Sequence, residues 1–561
     1  MATTNPLAYN TGPSIPGTNQ IGSLAVGVTD QEYSGNIGGV PWWMSPDENL
    51  GYVIAHPVPG NTQPTPIPGT FASLGFDRTK DFTNESFINL AEYVSRKYST
   101  PQSFSSATEA STWLTNNGFW NSYVSLGNRI MYWDVQNISS YSGTGTIIND
   151  LDGNSNGTLY NGVSYWTGIT NYLVSDYSTS SSYMMSNTSL NPVLNPPDTG
   201  TDISVFTWVY PLNNNGVIIS EQGSPYPPDN NWFDSQIELV SGSLYFRVWG
   251  IGAVISTVNM TIKDWNYVGF TYNSTTQELT GWVNGVSGGT TTGIRQTPYN
   301  DGGNLNLYYT FGYPTITNFG SGAGLTSRFG SLEVYNYGLP STEVSANYTS
   351  SKINYPLGLI LDLDATNPFS YNGGGSTWYD LTALGNNGTL TNVTYLPTSG
   401  GTMSFNGTSS YVSIGQPISS NSSYSISAWV YATSLVGARN IVSSMDSPFW
   451  CSSGVLYAGL GSNYTLVSYG PLQTNTWYFV SMTFSDIDNR MNLYVNGAVV
   501  NTNNAVTLSY TAQNTYVGSH FNGVNVSFWQ GYIPQVYIYA NEQSSTEVLH
   551  LFNKTKSLYG L

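Results

Sequence analysis

The chain has 561 residues, of which only 8% are charged, with 14 Lys+Arg against 32 Asp+Glu and a formal net charge of −18. So few cations exclude a phosphate-binding groove, and nucleic acid is not the expected partner. An acidic surface also does not suit anionic membranes. One cysteine and three histidines leave no intrachain disulfide and little histidine or cysteine metal chemistry.

Aromatic residues reach 14%, with 43 Tyr and 16 Trp, beside 59 Gly. A chain this rich in Tyr, Thr, Val and Trp can bury a large core, and its Gly and Asn turns predict an all-β body. No apolar run approaches the roughly 20 residues of a membrane helix, so no membrane insertion is expected. The start, "MATTNPLAYNTGPS", has neither a basic n-region nor an apolar h-region, so it does not read as a secretory signal.

Residues 1–128 differ from the rest. Extended Pro/Gly-rich stretches flank a strand-like block, "GVPWWMSPDENLGYVIAHP". Two helices are predicted next. One runs over Asn84–Lys97, with Phe87, Leu90, Ala91 and Val94 at helical spacing. The other opens on Ser106 and Glu109, buries Trp113 and Leu114, and stops at Asn117–Gly118.

From Arg129 onward the chain is written twice. "RIMYWDVQNISSYSGTGTIINDLDGNSNGTL" (129–159) returns as "LGLILDLDATNPFSYNGGGSTWYDLTALGNNGTL" (357–390). "SVFTWVY" (204–210) returns as "SISAWVY" (425–431), "WNYVGFTYN" (265–273) as "WYFVSMTFS" (477–485), and "LTGWVNG" (279–285) as "MNLYVNG" (491–497). "GSLEVYNYGLPSTEV" (330–344) returns as "IPQVYIYANEQSSTEV" (533–548). Five matches in one order mark a duplication. In "SISAWVYA", Ile426, Ala428 and Val430 share one face while Trp429 and Tyr431 share the other, as in a central strand covered on both sides. The Asn-Gly pairs predict hairpins. The "STEV" pieces predict short helices, the second with Ser544 and Glu547 at capping-box spacing.

These ordered pieces, together with "SFNGTSSYVSI" (404–414), resemble the laminin-G-like branch of the concanavalin A-like lectin/glucanase superfamily. The resemblance implies a mainly β chain: two tandem jelly-roll β-sandwiches, over 129–350 and 351–561, after a small α+β N-terminal domain over 1–128. The first copy departs from the pattern, with "VSDYSTSSSYMMS" and a Pro/Asn-rich insertion where the second has its Asn-Gly turn. The N-terminal pairing of "PWWMSPDENLGYVIA" with "WLTNNGFWNSYV" resembles modules in structural proteins of tailed phages and other large-virus particles.

Three chemistries were weighed. Glycoside hydrolysis needs two carboxylates at a defined separation. Asp362 and Asp364 share a face in "LILDLD", but no Glu accompanies them, and strand-end or turn aspartates explain them better; no enzyme is expected. Asp152, Asn154 and Asn156 before Gly157 read D-x-N-x-N-G, an oxygen cradle suited to calcium, the candidate cofactor. The same residues also make an ordinary turn. Sugar binding would use aromatics particular to one copy, since rings stack on the C–H faces of sugars. Tyr226 and Trp232 in "PYPPDNNWFD", and Trp450 in "DSPFWCSSG", are the candidates, with packing roles as the alternative. Cys451 reads as a buried, inert thiol.

The expectation is a virion structural protein, assembled in a host cytoplasm and shown on the particle surface as a head fibre, capsid decoration or tail-associated adhesin. Residues 1–128 would contact other virion proteins, and the sandwiches of a homo-oligomer would hold host-surface glycans weakly and many at a time. A polysaccharide-degrading hydrolase and a microbial cell-surface adhesin are the alternatives.

Overall fold

A computed structural model describes residues 129–561 except 177–179, 191–201, 224–232, 296–306, 314–323, 398–399 and 508, together with Ser103 and Trp113. The predicted strand block and the helix over 84–97 lie outside the described residues. Trp113 is helical and half-buried.

Four eight-stranded antiparallel sheets pair into two sandwiches, one per copy. Each sandwich has its own core. Trp133, Val205, Phe270 and Leu332 belong to the first, and Leu363, Ile426, Val480 and Val536 to the second. The predicted alternation holds: Ile426, Ala428 and Val430 face the second core, while Trp429 joins an aromatic cluster on the opposite face of the same sheet. Both hairpins turn on left-handed Asn-Gly pairs, with Asn284 at φ 51° and Gly285 at 78°, and Asn496 at 49° and Gly497 at 79°.

The "STEV" pieces open helices α1 (Ser341–Ser351) and α2 (Ser545–Thr555). Each covers the outer face of one sheet, here called the capped sheet. Under α1 the indole N–H of Trp208 donates to Ser351 Oγ at 2.9 Å; under α2 that of Trp429 donates to Thr555 Oγ1 at 2.8 Å. The α2 capping box is complete: Ser544 N donates to Glu547 Oε2 at 2.7 Å and Glu547 N to Ser544 Oγ at 3.3 Å. After α1 a short 3-10 turn places Tyr355 on Trp208, with centroids 4.2 Å apart. Tyr559 stands likewise on Trp429 at 4.1 Å. The first module is therefore packed through Tyr355, a few residues past the boundary at 350 expected from sequence.

The repeated "NDLDGNSNG" and "YDLTALGNNG" phrases build the same turn latch. The Asp150 carboxylate accepts backbone N–H groups from Tyr132 (2.7 Å), Asp152 (3.0 Å), Asn154 (2.7 Å) and Ser155 (2.8 Å). Asp380 accepts those of Asp362 (3.0 Å), Thr382 (3.0 Å) and Asn386 (2.9 Å). Behind each aspartate an Asn amide closes the ring: Asn156 Oδ1 accepts Asp150 N, and Asn387 Oδ1 accepts Asp380 N. A buried carboxylate holding several backbone donors makes the phrase hard to vary, because each donor would otherwise be stranded.

The two sandwiches meet along a polar and aromatic seam. Arg328 of the first lies over the rings of Tyr172 (4.6 Å) and Tyr210 (4.5 Å) and donates to Leu381 O of the second at 3.1 Å. Phe369 packs on Trp166 at 4.2 Å, and Asn367 Nδ2 donates to Thr167 O at 3.1 Å. Lys554 Nζ of α2 donates to Ile169 O at 2.6 Å. At the crossing itself Gly358 N points at the Asp264 carboxylate, 3.1 and 3.0 Å from its two oxygens.

Burial pushes the Asp264 carboxyl up from its ordinary 3.8 to about 6, against the pull of the Gly358 and Trp265 N–H groups. The folded chain therefore binds this proton more tightly than the unfolded chain. Its contribution to stability is full below about pH 4 and declines as pH rises toward 6. Asp264→Asn is expected to flatten that decline. Melting temperatures of parent and variant measured from pH 4 to 7 check this, since their difference must change across the window.

Candidate functional site

Among the described residues, the second sheet of each sandwich carries no helix. In the second sandwich its strands run Thr377–Trp378, Gly388–Thr391, Tyr411–Ile414, Thr515–Val517, Ala438–Ser443, Pro448–Ser452, Val455–Leu460 and Asn463–Tyr469. Phe449, Cys451, Leu456, Ala458 and Val517 point into the core. The alternate positions, Trp450, Tyr457 and Tyr516, therefore face outward.

Trp450 belongs to strand Pro448–Ser452. It sits in mid-strand, because Phe449 and Cys451 anchor the pleat on either side of it. Trp450 and Tyr457 are direct cross-strand partners, and their rings stack 4.8 Å apart at 24°. The Trp450 indole N–H donates to Tyr464 O at 3.0 Å, which fixes the ring against rotation. Tyr464, 37% exposed, meets His520 edge-on at 5.5 Å. On the same sheet Tyr516 meets Tyr411 at 6.1 Å, and it stacks at 5.4 Å on Phe521 of a separate two-stranded sheet. Trp450, Tyr457, Tyr411 and Phe521 are half-buried, so ring faces and edges reach solvent. Asn440, the other cross-strand neighbour of Trp450, and Arg439 supply polar groups beside the band. Burial lowers the His520 pKa and so favours the neutral imidazole. Burial pushes the Cys451 thiol up to about 12, so it is no nucleophile.

Tyr226 and Trp232 lie outside the described residues. The proposed calcium cradle is brought to one turn but is engaged otherwise. Asp152 forms a two-point ion pair with Arg129 at 2.8 and 3.2 Å, Asn154 Nδ2 donates to Ile130 O, and Asn156 Oδ1 is taken by the latch. Among the described residues no group of three His, Cys, Asp or Glu side chains is placed to hold a metal ion.

Acidic residues gather elsewhere. Strand Phe233–Val240 carries Asp234, Gln236 and Glu238 at alternate positions, a pattern that sequence reading passed over. A register shift between Ile219 and Ser220 breaks the alternation. Asp234 pairs with Arg247 at 3.3 Å, and its cross-strand partner Glu221 accepts Tyr309 OH at 3.0 Å and faces Arg295 at 4.0 Å. Glu238 instead accepts Ser235 Oγ at 3.0 Å. All three carboxylates are at most 2% exposed, so they serve as buried ion and hydrogen-bond partners. At the seam, burial holds the Asp362 carboxyl well above the usual carboxylate range, with Asp364 and Asp380 adding to the shift and Arg328 opposing it.

Residues 406–549 match the family model of laminin-G type described as the concanavalin A-like lectin/glucanases superfamily. The second sandwich thus carries a concanavalin A-like lectin/glucanase domain. No curated protein matches the chain. Among solved structures, HCR/D-Sa-GBL1/C is 17% identical over 35% of this chain, with a TM-score of 0.28, and the match spans 52% of that chain, about half its length. Domain 4 of AbnA, an extracellular arabinanase of Geobacillus stearothermophilus solved with arabinotriose, is 18% identical over 34% of this chain and 97% of its own, with a TM-score of 0.29. The Trypanosoma rangeli sialidase in complex with sialic acid is 12% identical over 73% of this chain and 83% of its own, with a TM-score of 0.31.

Proposed function

We propose that the protein binds glycans, without cleaving them, through the outward aromatic band of the second sandwich's lectin-like domain. The observation that carries this reading is the Trp450–Tyr457 stack. Two large rings are held rigid by pleat, partner and indole hydrogen bond, and they stay half open to water. Rings fixed in this way meet the C–H faces of a sugar with little entropy left to lose. The superfamily match of residues 406–549 is consistent with this use. Asp362, Asp364 and Asp380 are buried in the seam and its turns, away from the band, which favours binding over hydrolysis.

The setting we infer is the surface of a virus particle, with residues 1–128 making the contact to other virion proteins. The phage-like pairing of "PWWMSPDENLGYVIA" with "WLTNNGFWNSYV" motivates it. Many copies on one particle would raise weak single-site binding by about 10²- to 10⁴-fold in avidity.

The double variant Trp450→Ala/Tyr457→Ala is expected to weaken binding to host-envelope polysaccharide about tenfold or more, on the scale of one to two aromatic contacts. The folded circular dichroism spectrum should be retained. A glycan array and titration calorimetry with the full chain measure it. Parent-like binding by the variant would remove the band as the site. Labelled antibodies that fail to decorate intact particles would remove the setting.

A further inference from the structure

The duplication gives each sandwich the same corner on its capped sheet, yet among the described residues only one corner is filled. In the first sandwich Tyr210, Trp265 and Arg328 form it. Arg328 is the cross-strand partner of Tyr210, and Tyr210 and Trp265 are 4% and 3% exposed. The second sandwich closes on this corner through Leu381, whose carbonyl accepts Arg328, and Ala383, whose N–H reaches Tyr210 OH at 3.5 Å, while Phe369 and Asn367 of its leading edge sit beside the corner on Trp166 and Thr167.

The equivalent corner of the second sandwich is Tyr431, Trp477 and Tyr532. Tyr532 is the cross-strand partner of Tyr431, as Arg328 is of Tyr210. The three rings pack on one another, with centroids 5.1 Å apart for Tyr431–Trp477 and 5.3 Å for Tyr431–Tyr532. All three remain half-exposed. The first sandwich, for its part, has a leading edge with the same backbone, against which no sandwich packs among the described residues. Asn137 and Leu151 stand where Asn367 and Leu381 stand: Ser139 N donates to Asn137 Oδ1 as Phe369 N does to Asn367 Oδ1, and Leu151 N donates to Tyr132 O as Leu381 N does to Asp362 O. At its tip Ile138 is 77% exposed.

We propose that the open corner of the second sandwich, Tyr431, Trp477 and Tyr532, receives the leading edge of the first sandwich of a second copy of this chain. Charge supports the match. Inside the chain the cation belongs to the corner, as Arg328 between two tyrosine rings. In the unfilled pair the corner is wholly aromatic, and the cation has moved to the edge, where Arg129 lies over Tyr132 at 3.8 Å with Asp152 at its other side. A guanidinium against aromatic faces is thus kept with the roles exchanged. The contact is heterologous, because edge meets corner and not itself. Each copy therefore keeps one free edge or corner, and assembly proceeds to a ring or a filament.

Sedimentation velocity of the full chain across a concentration series tests this, with Ile138→Asp on the edge and Tyr532→Ser in the corner. The parent is expected to assemble with concentration, and each variant to self-associate at least about tenfold more weakly. An equimolar mixture of the two variants is expected to form a 1:1 dimer and nothing larger, since one intact edge then meets one intact corner. Ile138 sits on an exposed turn tip, so its variant stays decisive even if Tyr532→Ser disturbs its strand. A parent that stays monomeric overturns the proposal. So does undiminished assembly of Ile138→Asp, or a mixture whose larger species match the parent's.

Discussion

Trp429→Ala is expected to destabilise the second sandwich by about 3–5 kcal/mol, the range for deleting a fully buried Trp. The ring is 0% exposed and lies between Tyr559 at 4.1 Å, Phe479 at 5.5 Å and Phe552 at 5.9 Å, so little can collapse into the space it leaves. Its indole N–H is also the polar latch on α2, through Thr555. Helix α2 is 11 residues long and would be marginal by itself, so its attachment decides whether it stays folded. Hydrogen exchange should show the amides of 545–559 losing protection together with the sheet beneath. Thr555→Val removes the hydroxyl that accepts the indole N–H and donates to Leu551 O, and should cost about 1–3 kcal/mol. If Trp429→Ala shifts the denaturation midpoint no more than Thr555→Val, packing under α2 is not what secures the helix.

Asp380→Ala is the second large effect, at about 2–4 kcal/mol, because it strands buried backbone donors that had a charged acceptor. Asp380 takes the N–H groups of Asp362, Thr382 and Asn386 and the hydroxyl of Thr382 at 2.6 Å. The turn it holds also presents Leu381 O to Arg328, so the loss should loosen the seam as well as the sandwich. Asp380→Asn keeps one acceptor oxygen and should recover part of the stability. Chemical denaturation of the three proteins orders them: parent, Asn, Ala. Limited proteolysis near residues 352–358 reads the seam. An Asn variant no better than Ala would mean that charge, not acceptor geometry, holds the turn.

Much of the architecture was legible from local chemistry. Alternation in "SISAWVYA" follows from a pleat with period two, and its two apolar faces required cover on both sides. Asn-Gly at 284–285 and 496–497 required left-handed turns. Ser544 and Glu547 announced a helix start three residues apart. The candidate site was only half legible. Trp450 was singled out for being particular to one copy, but its neighbourhood of Asp, Ser, Pro and Gly carries no strand signal. Its stacking partner Tyr457 lies on the next strand of the same hairpin, while Tyr516 and Tyr411 come from strands distant in sequence. Strand order alone brings them together. The D-x-N-x-N-G phrase was read by its spacing as a cation cradle. Its oxygens instead serve an ion pair and a latch organised by Asp150, a residue just outside the phrase.

By itself, then, the sequence determined the duplication, the β class, the hairpin turns and the capped helix, because each rests on interactions between residues near in the chain or on a repeat with a fixed period. Tertiary structure alone decided which aromatic rings face water, which carboxylates are sealed by Arg and backbone N–H groups, and that one of two equivalent corners is filled while its twin stands open. Burial and partnership depend on strand order and on how two folded bodies meet, and no local pattern encodes either.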